Sequence, residues 1–335
     1  MKRVAINGFG RIGRLVFRII EEDKDLEVVA INDLTDSKQL AYLLKYDTNH
    51  RLYNKEISYD EENIIVDGRK IRVFSEMDPI NLPWKDMEID AVLECTGKFV
   101  DLEGARKHIT AGAKKVVISA PGKGEMKTVV YNVNDEILDG SEEVISAASC
   151  TTNCLAPVLK VLEDNFGIEK GFMTTIHAYT NDQVNLDVAH KKDIKERRGR
   201  ASAMNIIPTS TGAAKAIGKV LPSLEGKLLG GAMRVPVSDG SLIDLSLELS
   251  RNTSVEEINE TFKNNQNETI KFTTDPIVSS DIISSSCGAM VDGLLTNIVE
   301  YDGRQLVKVI AWYDNEMGYT HQMISTLRYL LSLEK

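Results

Sequence analysis

The stretch Ser149-Cys150-Thr151-Thr152-Asn153-Cys154 combines a thiol with hydroxyl and amide groups where the sequence changes its period. Before it, Val144-Ile145-Ser146-Ala147-Ala148 is a short apolar run of strand type, and after it Leu155 to Leu162 has helical character. A cysteine at such a handover lies beside backbone N–H groups that lack an intrahelical partner, at the positive end of the helix dipole. The spacing therefore predicts a thiol with a lowered pKa, a larger thiolate fraction at neutral pH, and a nucleophile at Cys150. The competing reading is a small buried hydrophobe. Cys154 lies one helical turn on and is expected to pack; C-x3-C is not the spacing of a redox pair. Pro157 falls inside the expected helix, which leaves open irregular first turns or a later helix start.

A nucleophilic thiol needs a base, and the chain offers five histidines: His50, His108, His177, His190 and His321. Gly171 to His177 alternates as a half-buried strand, with Met173, Thr175 and His177 on one face. Tyr179, Thr180 and Asp182 follow directly, a polar cluster at the end of an apolar strand. A purely structural His177 is the alternative. The segment Asn181 to Ser202 is long and polar, with Lys191-Lys192, Lys195 and Arg197-Arg198-Gly199-Arg200. Most of its charges read as a solvated loop, although a long loop in a compact domain is often functional. Thr211-Gly212 before a small-residue helix reads as an N-cap that can also present N–H groups to phosphate. Arg234 is a second fixed cation whose planar fork of donors suits phosphate.

These groups need a scaffold. At 335 residues two domains are the natural expectation, and 42% hydrophobic with 27% charged residues describes a globular protein. Forty basic against fifty acidic residues give a net charge of −10, which argues against general binding to nucleic acid or an anionic membrane. Cys95, Cys150, Cys154 and Cys287 are too few for a disulfide framework, so a reducing compartment is expected. The sequence has no signal-type h-region and no apolar run of membrane-spanning length, and a cytoplasmic location follows as an expectation. No metal ligand is assigned.

In the first half, the strand run Val4-Ala5-Ile6-Asn7 leads at once into Gly8-Phe9-Gly10-Arg11-Ile12-Gly13 and then into a helical pattern. A second strand, Val28 to Ile31, ends in Asn32-Asp33, and Asp33 lies 20 residues past Gly13. That is the setting of a dinucleotide-binding fingerprint. Gly8 would permit the tight turn, Gly10 the close approach of backbone to pyrophosphate, and Gly13 the helix–strand contact. Asp33 accepts hydrogen bonds from the 2′-hydroxyl of NAD and repels the 2′-phosphate of NADP, so NAD is the expected cofactor. Strands ending at Thr96-Gly97 and Ser119-Ala120 make these residues candidates to line the nicotinamide side. Between those strands a crossover helix is expected over Gly104 to Gly112, with His108 as a surface or capping residue. Asp47 to Phe74 reads as an inserted antiparallel hairpin turning at Asp67-Gly68. In the second half, Leu242 to Leu249 and Val307 to Trp312 read as strands, the former antiparallel. The final run, Thr320 to Leu333, reads as an amphipathic helix packing back on the first domain.

Assembled, these residues resemble the phosphorylating glyceraldehyde-3-phosphate dehydrogenase family over nearly the whole chain. The resemblance rests on Asn7 to Arg14, Asn32-Asp33-Leu34, Ser149 to Cys154, His177-Ala178-Tyr179-Thr180, Ile206 to Ala216, and Trp312-Tyr313-Asp314-Asn315-Glu316. It implies an α/β fold: a Rossmann-type dinucleotide-binding domain with a mostly parallel sheet over 1–149, and an α+β catalytic domain with a largely antiparallel sheet over 150–315. The C-terminal helix, 316–335, would pack back on the former. It further implies Cys150 as nucleophile and His177 as its base. Arg11, Ile12, Asp33, Ser119 and Asn315 match cofactor positions, as does Met77 through its backbone, where many members carry arginine. Thr180 and Arg234 match the substrate-phosphate site, and Ser149, Thr151, Arg198, Thr211 and Gly212 match the surroundings of the attacking phosphate. Met317 departs from the usual tryptophan, and Val188-Ala189 from a Leu-Pro pair of NAD-specific members. The implied partners are glyceraldehyde 3-phosphate and inorganic phosphate, in a glycolytic homotetramer with the Asn181–Ser202 loop at a subunit interface. Two alternatives stand beside this reading. One is a non-phosphorylating enzyme acting on erythrose 4-phosphate or another aldehyde, and the other is a binding or scaffolding protein.

Overall fold

A computed structural model describes residues 1–190 and 194–333, which fall into two units. The first comprises Met1–Val129, Asp135–Ala148 and Met323–Lys335; the second comprises Val130–Asn134 and Ser149–Gln322. The expected Lys191-Lys192 pair lies outside the described residues.

The first unit begins with β1 (Lys2–Asn7), α1 (Arg11–Ile20), β2 (Leu26–Asn32) and α2 (Ser37–Lys45). The short strands β3 (Ile57–Tyr59), β4 (Asn63–Val66) and β5 (Arg69–Phe74) follow, then β6 (Ala91–Glu94), α3 (Leu102–Thr110), β7 (Lys115–Ile118) and β8 (Val144–Ser146). They form one eight-stranded sheet in the order β3-β4-β5-β2-β1-β6-β7-β8. Every pair from β5 to β8 is parallel, while β3, β4 and β5 pair antiparallel. The residues of β6, β7 and β8 are all buried, the pattern of strands covered on both faces. The β4–β5 turn places Asp67 at φ 48 and Gly68 at φ 81, the left-handed pair that a two-residue hairpin requires. Strand order reverses between β1 and β6, and in open α/β sheets that reversal opens the ligand crevice.

His108 departs from expectation. It is fully buried rather than on the surface, and it accepts from the Trp84 indole N–H at 3.0 Å. Trp84 sits in a cluster with Ala5, Val92, Val116 and Ile118, where a polar ring is tolerated only with its nitrogens paired.

The chain leaves β8 through Ala148, a non-glycine residue at φ 58, and enters the second unit at Ser149. There α4 (Cys150–Phe166) and β9 (Ile168–Ala178) precede β10 (Ile207–Ser210), α5 (Ala213–Val220), β11 (Leu228–Val235) and β12 (Ser241–Leu249). The unit continues with α6 (Val255–Asn264), β13 (Ile270–Thr273), β14 (Ala289–Asp292), β15 (Asn297–Tyr301) and β16 (Arg304–Tyr313). The second sheet runs β10-β11-β9-β12-β16-β14-β13, with β15 paired to β16. It is mostly antiparallel, with parallel pairs at β9/β11 and β13/β14. Its buried face carries Met173, Thr175 and His177 of β9 beside Ile243, Leu245 and Leu247 of β12. Burying one such aliphatic side chain contributes about 1.5–3 kcal/mol.

Helix α4 begins at Cys150 and runs through Pro157 to Phe166 as one helix. Proline removes one N–H donor to the Asn153 carbonyl, and tertiary burial on both sides of Pro157 offsets the loss. The final helix, α7 (Met317–Ser332), belongs to the first unit from Met323 onward. There Met323, Ile324, Leu327 and Leu330 are buried, and Arg328 Nε donates to Asp23 at 2.8 Å.

Candidate active site

Ser149 caps α4 by accepting from the Thr152 N–H at 3.1 Å, which places Cys150 at the first helical position. Strand β9 delivers His177 from the neighbouring sheet, and Cys150 Sγ lies 3.5 Å from His177 Nε2. The other ring nitrogen, Nδ1, lies 2.7 Å from the carbonyl oxygen of Ala178. A carbonyl only accepts, and this contact is shorter than the 3.1 Å between Nδ1 and the donor-only Arg234 Nη1, so the proton is assigned to Nδ1 and Nε2 presents its lone pair to sulfur. Arg234 Nη1 donates to the same Ala178 carbonyl at 2.9 Å and to Thr180 Oγ1 at 3.0 Å.

The electrostatics revise one expectation. Burial pushes the Cys150 thiol above its ordinary value, outweighing the Arg234 charge and the Thr151 hydrogen bonds that pull it down. Burial, reinforced by Arg234, lowers the imidazole of His177 to about 3. Both shifts favour the neutral pair, S–H facing an unprotonated Nε2. The expected lowering of the thiol pKa is reversed because the buried sulfur loses more hydration than one helix terminus restores.

Tyr313, at the end of β16, connects the two elements. Its hydroxyl lies 3.0 Å from Thr151 Oγ1 and 2.8 Å from Thr175 Oγ1, and its ring meets His177 edge-on at 5.8 Å. Thr175 gives its proton to the Leu242 carbonyl at 3.0 Å, so Tyr313 donates to Thr175 and Thr151 donates to Tyr313. The Thr151 hydroxyl is thus divided between Tyr313 and the thiol, toward which its backbone N–H also donates. Tyr313 received no separate role from the sequence; its place just before Asp314-Asn315 was the available signal.

The groups expected around phosphates gather at the mouth of β9 and β11. Thr180 Oγ1 donates to Asp182 at 2.5 Å, and Arg198 pairs with the same carboxylate. Arg198 also donates from Nε to Thr209 Oγ1 at 3.1 Å. Burial raises Asp182, but the Thr180 hydroxyl and the charges of Arg198 and Arg234 prevail and hold it below the ordinary carboxylate value. Gly212 caps α5 without a side-chain bond, and Thr211 Oγ1 accepts from the Ala213 N–H at 3.2 Å. Asn315 is buried, with its Oδ1 accepting from Ser241 Oγ at 2.6 Å.

In the first unit, a cleft at the C-terminal ends of β1, β2 and β6 is lined by Asn7, Gly8, Gly10, Asp33, Met77 and Thr96, among others. The glycines have distinct reasons to be there. A Cβ on Gly8 (φ 91) would lie 2.8 Å from the Thr96 nitrogen, and one on Gly13 only 2.2 Å from the Gly8 carbonyl oxygen. A Cβ on Gly10 would meet no protein atom within 4 Å, so the space it leaves faces the cleft. Asp36 and Asp101 cap α2 and α3 with side chains, whereas Gly10 caps α1 with none. A helix start without a side-chain cap suits an anion. Asp33 is fixed beside the glycine turn, accepting from Phe9 N at 2.8 Å and Thr35 N at 2.9 Å. Arg11 is turned to Asp47, with Nη2 to Oδ1 at 3.1 Å. Arg11, Ile12, Gly13 and Ser119 are outside the lining of this cleft, and the Ser119 N–H donates to the Glu94 carbonyl. The cleft thus brings Gly10, the start of α1 and Asp33 together at one wall.

A dinucleotide-type parallel unit joined in one chain to a unit bearing a thiol–imidazole pair defines an oxidoreductase class, the dehydrogenases that work through a cysteine. Residues 2–102 match the family model of the glyceraldehyde 3-phosphate dehydrogenase NAD binding domain, and residues 149–315 that of the C-terminal domain. The chain is 58% identical to the glyceraldehyde-3-phosphate dehydrogenase of Clostridium pasteurianum over 335 residues, all of both chains. It is 57% identical to that of Clostridium acetobutylicum, again over all of both chains, and 54% identical to that of Streptococcus pyogenes over 99% of each. The chain belongs to the glyceraldehyde-3-phosphate dehydrogenase family.

Proposed function

We propose that the protein oxidises D-glyceraldehyde 3-phosphate to 1,3-bisphosphoglycerate with reduction of NAD and uptake of inorganic phosphate. The observation that carries this reading is the 3.5 Å contact between Cys150 Sγ and His177 Nε2, with Nδ1–H held on the Ala178 carbonyl. As sulfur adds to the aldehyde carbon, Nε2 takes the thiol proton, and returning it to the carbonyl oxygen gives a thiohemiacetal. The Cys150 N–H at the start of α4 supports the developing oxygen charge; one such donor is worth about 3–4 kcal/mol in other acyl-transfer sites. NAD, when bound, accepts the hydride. His177 takes the hydroxyl proton as that hydride leaves, and the product is a thioester on Cys150. A thioester retains the oxidation energy, so phosphate attack gives the acyl phosphate and releases the sulfur.

In this reading Arg234 and Thr180 hold the substrate phosphate. Ser149, Thr151, Arg198, Thr211 and Gly212 surround the attacking phosphate. Gly8, Gly10, Gly13 and the α1 terminus carry the pyrophosphate, with Arg11 and Ile12 contributing backbone. Asp33 binds ribose, and Met77 and Ser119 flank the cofactor. Asn315 holds the carboxamide through Nδ2, since Ser241 engages its Oδ1. For a nucleotide-binding region over 1–149 and a catalytic region over 150–315, with 316–335 counted with the first, the unit boundary at Ala148/Ser149 is the support, while residues 130–134 and 316–322 cluster with the second unit.

We also infer a homotetramer in the cytoplasm. The sheet face opposite His177 leaves Phe172, Leu229 and Met233 exposed, more apolar surface than a solvated sheet face needs. All four cysteines are free, as in a reducing compartment. The test is NADH formation from glyceraldehyde 3-phosphate by the wild type and Cys150→Ser, with phosphate present or omitted and NADP as alternative acceptor. The reading expects phosphate-dependent NADH with wild type, none with the variant, and a preference for NAD. Steady turnover without phosphate would favour the non-phosphorylating alternative.

A further inference from the structure

Glu94, the last residue of β6, is 1% exposed and does not line the dinucleotide cleft, yet several groups that do are tied to it. Its Oε2 accepts from Asn7 Nδ2 at 2.5 Å and lies 3.1 Å from His108 Nε2. Its Oε1 accepts from the Thr96 N–H at 2.8 Å and from the Thr96 hydroxyl. Thr96 Oγ1 in turn accepts from Lys98 N at 3.0 Å. On the far side of Asn7, Oδ1 accepts from Asn32 Nδ2 at 2.7 Å. Asn32 closes on the backbone of Glu76, donating to its carbonyl at 2.9 Å and accepting from its N–H at 2.8 Å. Met77, at the cleft, is the next residue.

The polarity of this network is locked at both ends. The Trp84 indole can only donate, so His108 Nδ1 accepts and Nε2 carries the proton delivered to Glu94. At the other end, the Glu76 backbone fixes the amide of Asn32, which fixes Asn7 with its NH2 toward Glu94. Asn7, His108 and the Thr96 N–H can only bring a hydrogen, and the Thr96 hydroxyl, its oxygen engaged by Lys98 N–H, turns its own hydrogen to the carboxyl group. Asn7, Asn32 and Glu94 are the last residues of β1, β2 and β6, so one acceptor-only group ties the strand ends that frame the glycine turn and Asp33.

We propose that Glu94 is the positioning residue of the NAD cleft, an acceptor-only carboxylate that sets Asn7, Thr96 and the Glu76–Met77 backbone at its wall. The proposal rests on reading this cleft as the NAD site. It makes a specific claim about hydrogen-bond direction, which an isosteric exchange tests. In Glu94→Gln the new NH2 must face either Asn7 and His108 or Thr96, and a buried donor meets a donor in both orientations. Asn7→Asp alone sets two carboxylates against each other. In the double variant, the introduced carboxylate accepts from the introduced amide NH2, from Asn32, and from His108, whose Nε2 lies 3.3 Å from Asn7 Nδ2 in the wild type. The oxygen of the introduced amide accepts from Thr96, and each donor again has an acceptor.

The experiment is NAD binding by isothermal titration calorimetry on the full-length wild type, both single variants and the double variant. The 15N shifts of the His108 ring are recorded alongside. We expect each single substitution to raise the dissociation constant about tenfold or more, and the double variant to return within about threefold of wild type. The His108 Nε2–H tautomer should persist in wild type and double variant. Singles that bind within about twofold of wild type, or a double variant no better than the weaker single, would overturn the proposal. Should the singles not fold, the double variant decides alone: wild-type-like binding supports the claim, and failure to fold or bind overturns it. A wild type that does not bind NAD would instead remove the reading of the cleft.

Discussion

Arg234 and His177 share one acceptor, the carbonyl oxygen of Ala178, reached by Nη1 at 2.9 Å and by Nδ1 at 2.7 Å. The same guanidinium reaches Thr180 at 3.0 Å, so the group proposed to hold substrate phosphate also sets the charge beside the proposed base. Arg234 disfavours the imidazolium form, and an anion neutralising Arg234 would relieve that penalty. In the proposed function, substrate binding and base strength would be coupled through this one side chain.

Arg234→Gln should therefore raise the His177 pKa from about 3 toward the ordinary 6.5, read by NMR titration of the ring. The same variant should raise the KM for glyceraldehyde 3-phosphate by about tenfold or more through loss of a charge-assisted contact. An unmoved His177 pKa would show that burial alone depresses it.

Stability follows with a definite sign. Between pH 6.5 and about 3 the unfolded chain protonates His177 while the folded chain does not. The contribution of the neutral ring is full above 6.5 and is lost as pH falls toward 3. His177→Asn should flatten the acid limb of stability measured by denaturant unfolding over that window.

Cys150 should alkylate with iodoacetamide at a rate that climbs with pH through a value above that of an ordinary thiol, since burial raises it. A rate already at its plateau at neutral pH would mean a standing thiolate in the free protein.

Gly10→Ala and Gly13→Ala should separate binding from folding. The Gly10 variant has room for its Cβ and should unfold within about 1 kcal/mol of wild type while losing NAD affinity. The Gly13 variant places Cβ 2.2 Å from the Gly8 carbonyl oxygen and should lose stability as well as affinity. Thermal unfolding and NAD titration on both variants check this.

Local pattern carried the handover from strand to helix at Cys150, the glycine turn, the hairpin at Asp67-Gly68 and the alternation in β9 and β12. Each depends on residues adjacent in sequence, where period and turn chemistry act directly. The pairing of Cys150 with His177 joins residues 27 apart through a sheet, and motif resemblance carried it where periodicity could not. The buried position of His108 was missed because its partners, Trp84 and Glu94, belong to other elements and only packing brings them together. The direction of the Cys150 shift was missed for a related reason: the helix terminus is visible in sequence, while the desolvation that outweighs it is a property of the folded core. Tyr313 likewise acquires its part only when β16 sets its hydroxyl between Thr151 and Thr175.

The central claim is that Cys150, served by His177, carries the oxidised acyl group until phosphate removes it. Rapid mixing of the NAD-loaded enzyme with glyceraldehyde 3-phosphate in phosphate-free buffer tests it most directly. The account predicts a burst of about one NADH per chain and an acyl adduct on Cys150 by mass spectrometry, with turnover resuming when phosphate is added. Continued turnover without phosphate, or a burst with no adduct on Cys150, would contradict it.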